Sequence, residues 1–120
     1  IYSLGHKDYK DLPKYLSHFT VAMIPFKLSE MIEGCDPIKF YEYLAGGKPT
    51  LATRMSELLK YEDVTYFMNY GNCLDVVEQA IEENSVEKIK ARQEVAKQQS
   101  WDARAQKAHE MIVNYLEGTL

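Results

Sequence analysis

The run from Asp36 to Pro49 constrains the fold more than any other stretch, because it marks both ends of one helix. Asp36 is a residue type that caps helix N-termini, and Pro37 suits the first helical position, where its missing N–H is not needed. The glycine pair at 46–47 can supply the left-handed residue that commonly ends a helix. The sequence therefore predicts a helix between these signals, followed by a short buried strand over 50–53.

Glu42 interrupts the apolar face of this predicted helix. That face consists of residues at helical spacing, namely Ile38, Tyr41, Leu44 and Ala45. A carboxylate beside a buried face is unfavourable unless another group bonds to it. The residues alone favour an ion pair with Lys39 on the same side of the helix, since such exposed pairs are common and weak. The alternative is that Glu42 accepts hydrogen bonds from ligand hydroxyl groups, while the helix N-terminus at 36–38 faces an anion.

Composition restricts the class of protein. With 120 residues, of which 46% are hydrophobic and 27% charged, the chain has the size and composition of one soluble domain with a modest core. The net charge of -4 argues against a nucleic-acid partner, whose binding surface would be basic. Cys35 and Cys73 lack metal or redox spacing, so we predict no metal, no cofactor and the reduced thiols of a cytoplasmic protein. The chain begins at Ile1 rather than Met, which predicts a piece of a longer protein.

Strand-like and helix-like segments alternate along the chain. Apolar, β-branched segments predict strands at 1–4, 20–24, 50–53 and 64–68. Helical spacing predicts helices after Asp8, over 37–45, in short form over 55–60, around 74–81, over 86–99 and after Ser100. This alternation predicts an α/β fold, a Rossmann-like parallel sheet with helices on both faces.

Two segments carry further expectations. Residues 26–35 have no clear period, and we interpret them as a loop at the carboxyl end of a strand, where open α/β sheets bind ligands. A plain connector is the alternative for this loop. The last helix has an apolar stripe from Trp101 to Leu116, which packs on its own domain or lies open if a neighbouring domain is absent.

The segment 37–49 resembles the donor-binding helix of GT-B-fold glycosyltransferases, above all the retaining family known as group 1 or family 4, which builds bacterial surface polysaccharides. Segments that agree with the same family cover nearly the whole chain, namely 2–5, 11–16, 24–26, 49–53 and 100–104. The resemblance implies that residues 1–120 form a partial Rossmann-like domain, the C-terminal part of a GT-B enzyme. In that family the helix carries the second of two glutamates separated by seven residues, and this glutamate holds the nucleotide ribose. Glu42 matches the second glutamate, whereas Gly34 occupies the position of the first.

The resemblance implies the roles of site residues by position. Glu42 would hold the ribose hydroxyls of a nucleotide-sugar donor. The backbone N–H groups of Ile38 and Lys39, beside Pro37, would face the donor diphosphate at the helix N-terminus. The residues that would border the rest of the donor are His6 and Lys7 for the base, and Phe26 and Lys27 for the sugar.

The missing first glutamate calls for a substitute. Gly34 has no side chain that can reach the donor sugar, but Glu33 and Asp36 are acidic neighbours. We expect the Asp36 carboxylate to be occupied by the cap, so Glu33 is the predicted sugar contact. The alternative is that Glu33 is a solvated loop residue. No residue is assigned a catalytic role.

The resemblance implies that the chain is the nucleotide-sugar-binding portion of a glycosyltransferase that acts in cell-surface polysaccharide synthesis. The donor would be a UDP-sugar, the acceptor a glycan or a lipid-linked sugar, and the location cytoplasmic, peripheral to the inner face of the membrane. In that family an N-terminal domain completes the enzyme, and basic residues that clamp the diphosphate would precede Ile1. The chain alone is therefore predicted to be inactive.

The resemblance to the GT-B family also predicts an incomplete sheet. The strand at 2–4 would be the family's third and the strand at 21–24 its fourth, with two other strands between them. The first predicted strand should then not pair with the second, and an open sheet edge should favour self-association.

A competing hypothesis is a non-enzymatic α/β module, such as a receiver-like signalling domain. The pair Lys48-Pro49 is compatible with a receiver. A receiver also needs paired acids after its first strand and an aspartate at the end of its third. Residues 5–7 and 53–54 supply neither.

Overall fold

Three short strands form a parallel sheet in the computed structural model, which describes residues 1–118. They are β1 (Ala22–Ile24), β2 (Thr50–Ala52) and β3 (Thr65–Phe67), in the order β1-β2-β3. In the central register, Met23 is opposite Leu51, which is opposite Tyr66. All residues of β2 are buried, as a central parallel strand requires. The predicted α/β class is confirmed.

Six α-helices surround this sheet within the described residues. They are α1 (Leu12–Ser17), α2 (Glu30–Glu33), α3 (Ile38–Ala45), α4 (Cys73–Glu82), α5 (Val86–Gln98) and α6 (Trp101–Leu116). Two 3₁₀ segments, Tyr9–Asp11 and Ser56–Val64, precede α1 and β3. Within residues 1–118, no helix is long and apolar enough to cross a membrane.

The core has two parts, one on each face of the sheet, because successive residues of a strand point to opposite faces. On one face, Ala52 packs in a cluster with Phe40 and Leu44 of α3. On the other face, Leu51 packs with Val76 and Ala80 of α4. Helices therefore cover both faces of the sheet, as the alternation of segments predicts.

The predicted first strand is wrong. Residues 1–8 contain no strand, and Ile1, Tyr2 and Leu4 are exposed. A strand needs a partner for its backbone N–H and C=O groups. Residues 1–4 have no such partner, because among the described residues β1 pairs only with β2. The loop predicted over 26–35 is also interrupted, since it contains the single turn of α2, which Ser29 caps by accepting a hydrogen bond from the Ile32 N–H.

The ends of α3 agree with prediction only at its C-terminus. Gly47 has φ +69°, the left-handed conformation expected of the residue that ends the helix. At the other end Pro37, rather than Asp36, is the N-cap residue, and no side chain caps the helix. The predicted apolar face is also shifted, because α3 buries Phe40 and Leu44 while Ile38 is 62% exposed.

Candidate functional site

Glu42 lies in the wall of a cavity of about 540 Å3 between α1 and α3. Its Oε1 accepts a hydrogen bond of 3.0 Å from the Tyr9 hydroxyl. This bond, together with the nearby negative charge, raises the pKa of Tyr9 above its ordinary value. Lys39 lines the same cavity, but no ion pair joins it to Glu42 among the described residues. The Glu42 carboxylate therefore accepts a hydrogen bond from a hydroxyl group. The ion pair with Lys39 that the residues alone favour is not formed among the described residues.

The opposite wall of this cavity is apolar and aromatic. It includes Tyr9 of the 3₁₀ turn, Leu12, Tyr15 and Leu16 of α1, and Phe19 just after α1. Lys7 lies against this wall from outside, with its Nζ 5.5 Å from the centre of the Tyr15 ring. His6 is exposed, and neither residue is part of the lining. Their predicted contact with a nucleotide base stays a prediction.

Asp36 does not cap α3 because it has two partners elsewhere. Its Oδ1 accepts a 2.8 Å hydrogen bond from the Tyr41 hydroxyl, and its Oδ2 lies 3.2 Å from Nη2 of Arg104. Burial, with the hydrogen bonds to Tyr61 and Asp36, raises the pKa of Tyr41. Both carboxylate oxygens of Asp36 are therefore engaged away from the helix N-terminus. The N-terminus of α3 is consequently not covered by its own carboxylate, and the exposed side chains there are Ile38 and Lys39.

A second cavity, of about 830 Å3, lies where the three strands end. Phe26 and Lys27 line it after β1, and Arg54 lines it after β2. Thr53 donates a 2.8 Å hydrogen bond to the Phe26 carbonyl, which ties the β1 loop to the end of β2. No residue of α3 is part of this lining. The structure thus separates the predicted donor residues into two groups, Glu42 and Lys39 in one cavity and Phe26 and Lys27 in the other.

Arg54 is a candidate site residue that we did not predict. Its signal in the sequence is its position directly after a buried strand, where side chains meet at the carboxyl edge of a parallel sheet. Glu33, by contrast, lines neither of these cavities and accepts a hydrogen bond from the Ser56 hydroxyl. Its predicted contact with a donor sugar stays a prediction. Among residues 1–118, no group of three or more His, Cys, Asp and Glu is placed to hold a metal ion.

Comparison with known proteins supports one activity class. Over 104 residues the chain is 27% identical to TuaH of Bacillus subtilis (strain 168). That protein is named as a putative teichuronic acid biosynthesis glycosyltransferase. The match covers 82% of this chain and 26% of TuaH, so the chain spans about a quarter of that relative's length. No family model matches the chain. No solved structure matches it either.

Proposed function

We propose that this chain is the nucleotide-sugar-binding portion of a glycosyltransferase. The observation that carries the proposal is the hydrogen bond from the Tyr9 hydroxyl to Glu42 inside a cavity. A ribose presents two neighbouring hydroxyl groups, and an ionised carboxylate is a strong acceptor for such donors. The Tyr9 hydroxyl donates to Glu42 Oε1, the oxygen atom to which a ribose hydroxyl would donate. The similarity to TuaH supports the same class of reaction.

The open N-terminus of α3 suits the diphosphate of the donor. Backbone N–H groups at a helix N-terminus favour an anion, and Asp36 is held away from them by Arg104. Lys39 is exposed at the start of the same helix and lines the Glu42 cavity. The proposal places the diphosphate at Ile38 and Lys39 and the ribose one turn further along the helix, at Glu42.

The finer features of the proposal come from the resemblance to the retaining GT-B family. The protein would be a bacterial enzyme and this chain its C-terminal GT-B domain. The donor would be a UDP-sugar, the acceptor a glycan or a lipid-linked sugar, and the role cell-surface polysaccharide synthesis. The N-terminal domain of the same protein would bind the acceptor and complete the enzyme. A cytoplasmic location at the inner face of the membrane would give access to both substrates.

Glu42→Gln tests the proposal in the intact protein. The substitution keeps the size of the side chain and removes its charge, so affinity for UDP and for UDP-glucose should fall about tenfold to a hundredfold. Isothermal titration calorimetry measures the affinities, and the melting temperature should change little. The matched control is Glu78→Gln on α4, an exposed glutamate outside both cavities. Unchanged affinity with a large drop in melting temperature would show that Glu42 has a structural role.

A further inference from the structure

The cavity at the strand ends is positively charged in an acidic protein. Lys27 and Arg54 contribute to its lining, whereas no Asp or Glu does so among the described residues. The whole chain has a net charge of -4, so this surface differs in sign from the average. Such a local excess of positive charge attracts anions.

Neither cation has a carboxylate partner within the described part of the chain. Within residues 1–118, no carboxylate lies within 4.0 Å of the charged group of Lys27 or Arg54. The Arg54 guanidinium lies 5.0 Å from the centre of the Phe67 ring, which restrains its position without neutralising it. A guanidinium held in this way can bind both oxygens of a carboxylate or phosphate at once.

The rest of the lining suits a sugar ring. The lining includes the aromatic residues Phe26, Phe67 and Tyr70, of which Tyr70 is fully exposed, together with Met23 and Met68. The C–H groups on one face of a pyranose can pack on such an apolar surface. Ligand pockets commonly combine a mostly apolar lining of this kind with a few polar groups. Asn72 and Cys73 at the start of α4 also line the cavity, and the Asn72 Oδ1 accepts a 2.7 Å hydrogen bond from the Asn69 N–H.

We propose that this cavity binds a sugar that carries an acid group, a carboxylate or a phosphate, with Lys27 and Arg54 as the residues that select for the acid. This acid is distinct from the donor diphosphate, because neither Ile38 nor Lys39 lines the cavity. The inference rests on the proposed function in that the acidic sugar is a substrate of that enzyme. It names the substrate class that the resemblance leaves open.

The first experiment compares two donors that differ only at C6, UDP-glucose and UDP-glucuronate, by calorimetry on the intact protein. The parent should bind UDP-glucuronate about tenfold more tightly, the usual effect of one charged hydrogen bond. Arg54→Gln should reduce this preference severalfold and leave the affinity for UDP-glucose unchanged, and Lys27→Gln should also reduce the preference severalfold. Arg54→Lys should retain part of the preference. The matched control is Lys90→Gln on α5, which removes an exposed charge outside the cavity and should have no effect.

A second arm asks whether the acidic sugar is the acceptor. Glucuronate, glucose 6-phosphate and glucose are titrated into protein that is saturated with UDP. Tighter binding of either acid than of glucose, lost in Arg54→Gln, supports the proposal and assigns the acid to the acceptor. The relative affinities of the two acids distinguish a carboxylate from a phosphate.

The proposal is overturned if no acidic sugar is preferred in either arm, or if Arg54→Gln and Lys90→Gln act alike. It is also overturned if Arg54→Gln weakens UDP as much as UDP-glucuronate, since the cation would then bind the diphosphate. Failure of the proposed function has a different signature, which is that UDP and UDP-glucose do not bind to the parent. The arm with free acidic sugars, run without UDP, remains informative in that case.

Discussion

Two consecutive helices, α5 and α6, are buried to very different extents. Helix α5 is rich in charged residues but buries Arg92 and Ala96. Helix α6 carries a longer apolar stripe, including Trp101, Met111 and Ile112, and none of its described residues is buried. The more polar helix is therefore the better packed, which is the reverse of what hydrophobic patterning predicts.

The difference comes from how closely the backbone of a neighbour approaches. Helix α5 packs against α3 and against Gly47, which follows the C-terminus of α3 and where an added Cβ would lie 2.8 Å from Cγ2 of Ile89. At the same crossing, Nε of Arg92 donates a 3.1 Å hydrogen bond to the Gly47 carbonyl, and Nη2 donates to Asn84 Oδ1. Near the start of α6, the contact of Arg104 with Asp36 joins two partly exposed side chains. Periodicity thus identifies an apolar face, but the burial of that face depends on what lies beside it.

The largest expected effect in this comparison follows from Arg92→Ala. The side chain is 1% exposed, and burial lowers its pKa below the ordinary arginine value, although it remains charged at neutral pH. Its removal leaves the Gly47 carbonyl and the Asn84 amide without their donor and creates a cavity. We expect a loss of about 3–4 kcal/mol in the free energy of unfolding, measured by urea denaturation.

Arg92→Met separates the two contributions, since it keeps much of the aliphatic volume and removes the donors. It should lower the free energy of unfolding by about 2 kcal/mol. A change below about 0.5 kcal/mol for Arg92→Ala, the range of ordinary surface substitutions, would contradict the buried hydrogen bonds of α5.

Helix α3 shows how much local sequence could predict. The glycine at its C-terminus and the strand that follows were predictable, because a left-handed residue and a buried apolar segment are local properties. Its buried face was not, since aromatic residues lie on several sides and only the neighbours select Phe40. The predicted capping role of Asp36 was wrong for a non-local reason, because Arg104, 68 positions away, binds its carboxylate.

The candidate site shows the same limit. Glu42 could be found from its chemistry, as a carboxylate beside an apolar stripe, but its partner Tyr9 is 33 positions away. The family resemblance implied that Phe26, Lys27 and Glu42 share one site, whereas the structure distributes them between two cavities. Arg54 was missed because a single basic residue after a strand has no distinctive pattern.

An intermediate effect is expected for Asp36→Asn, which tests what ties α6 to the rest of the chain. Asparagine caps a helix about as well as aspartate, so stability would be retained if Asp36 were a cap. The structure instead gives Asp36 a partly exposed ion pair with Arg104 and a hydrogen bond from Tyr41. The free energy of unfolding should therefore fall by about 1 kcal/mol.

The double variant with Arg104→Ala identifies the interaction. If the ion pair is responsible, Asp36→Asn should have much less effect in the Arg104→Ala background, and the two changes should not add. If the two losses in the free energy of unfolding add fully, the ion pair between Asp36 and Arg104 does not stabilise the start of α6. Asp102→Ala, in the first turn of α6, is the control for a change of charge at this end of the helix.

The smallest expected effect is that of Ile112→Ala on α6, and its matched control is Ile24→Ala on β1. Ile112 is 59% exposed and Ile24 is 2% exposed, so the same substitution probes an open and a closed surface. Ile24→Ala should lower the free energy of unfolding by about 2–4 kcal/mol, whereas Ile112→Ala should change it by less than about 0.5 kcal/mol. Urea denaturation of the 120-residue chain at low concentration measures both. Similar losses for the two variants would mean that another surface covers the α6 stripe in solution. Analytical ultracentrifugation then tests the predicted self-association, because a second copy makes the loss at Ile112 depend on protein concentration, whereas a contact within one chain does not.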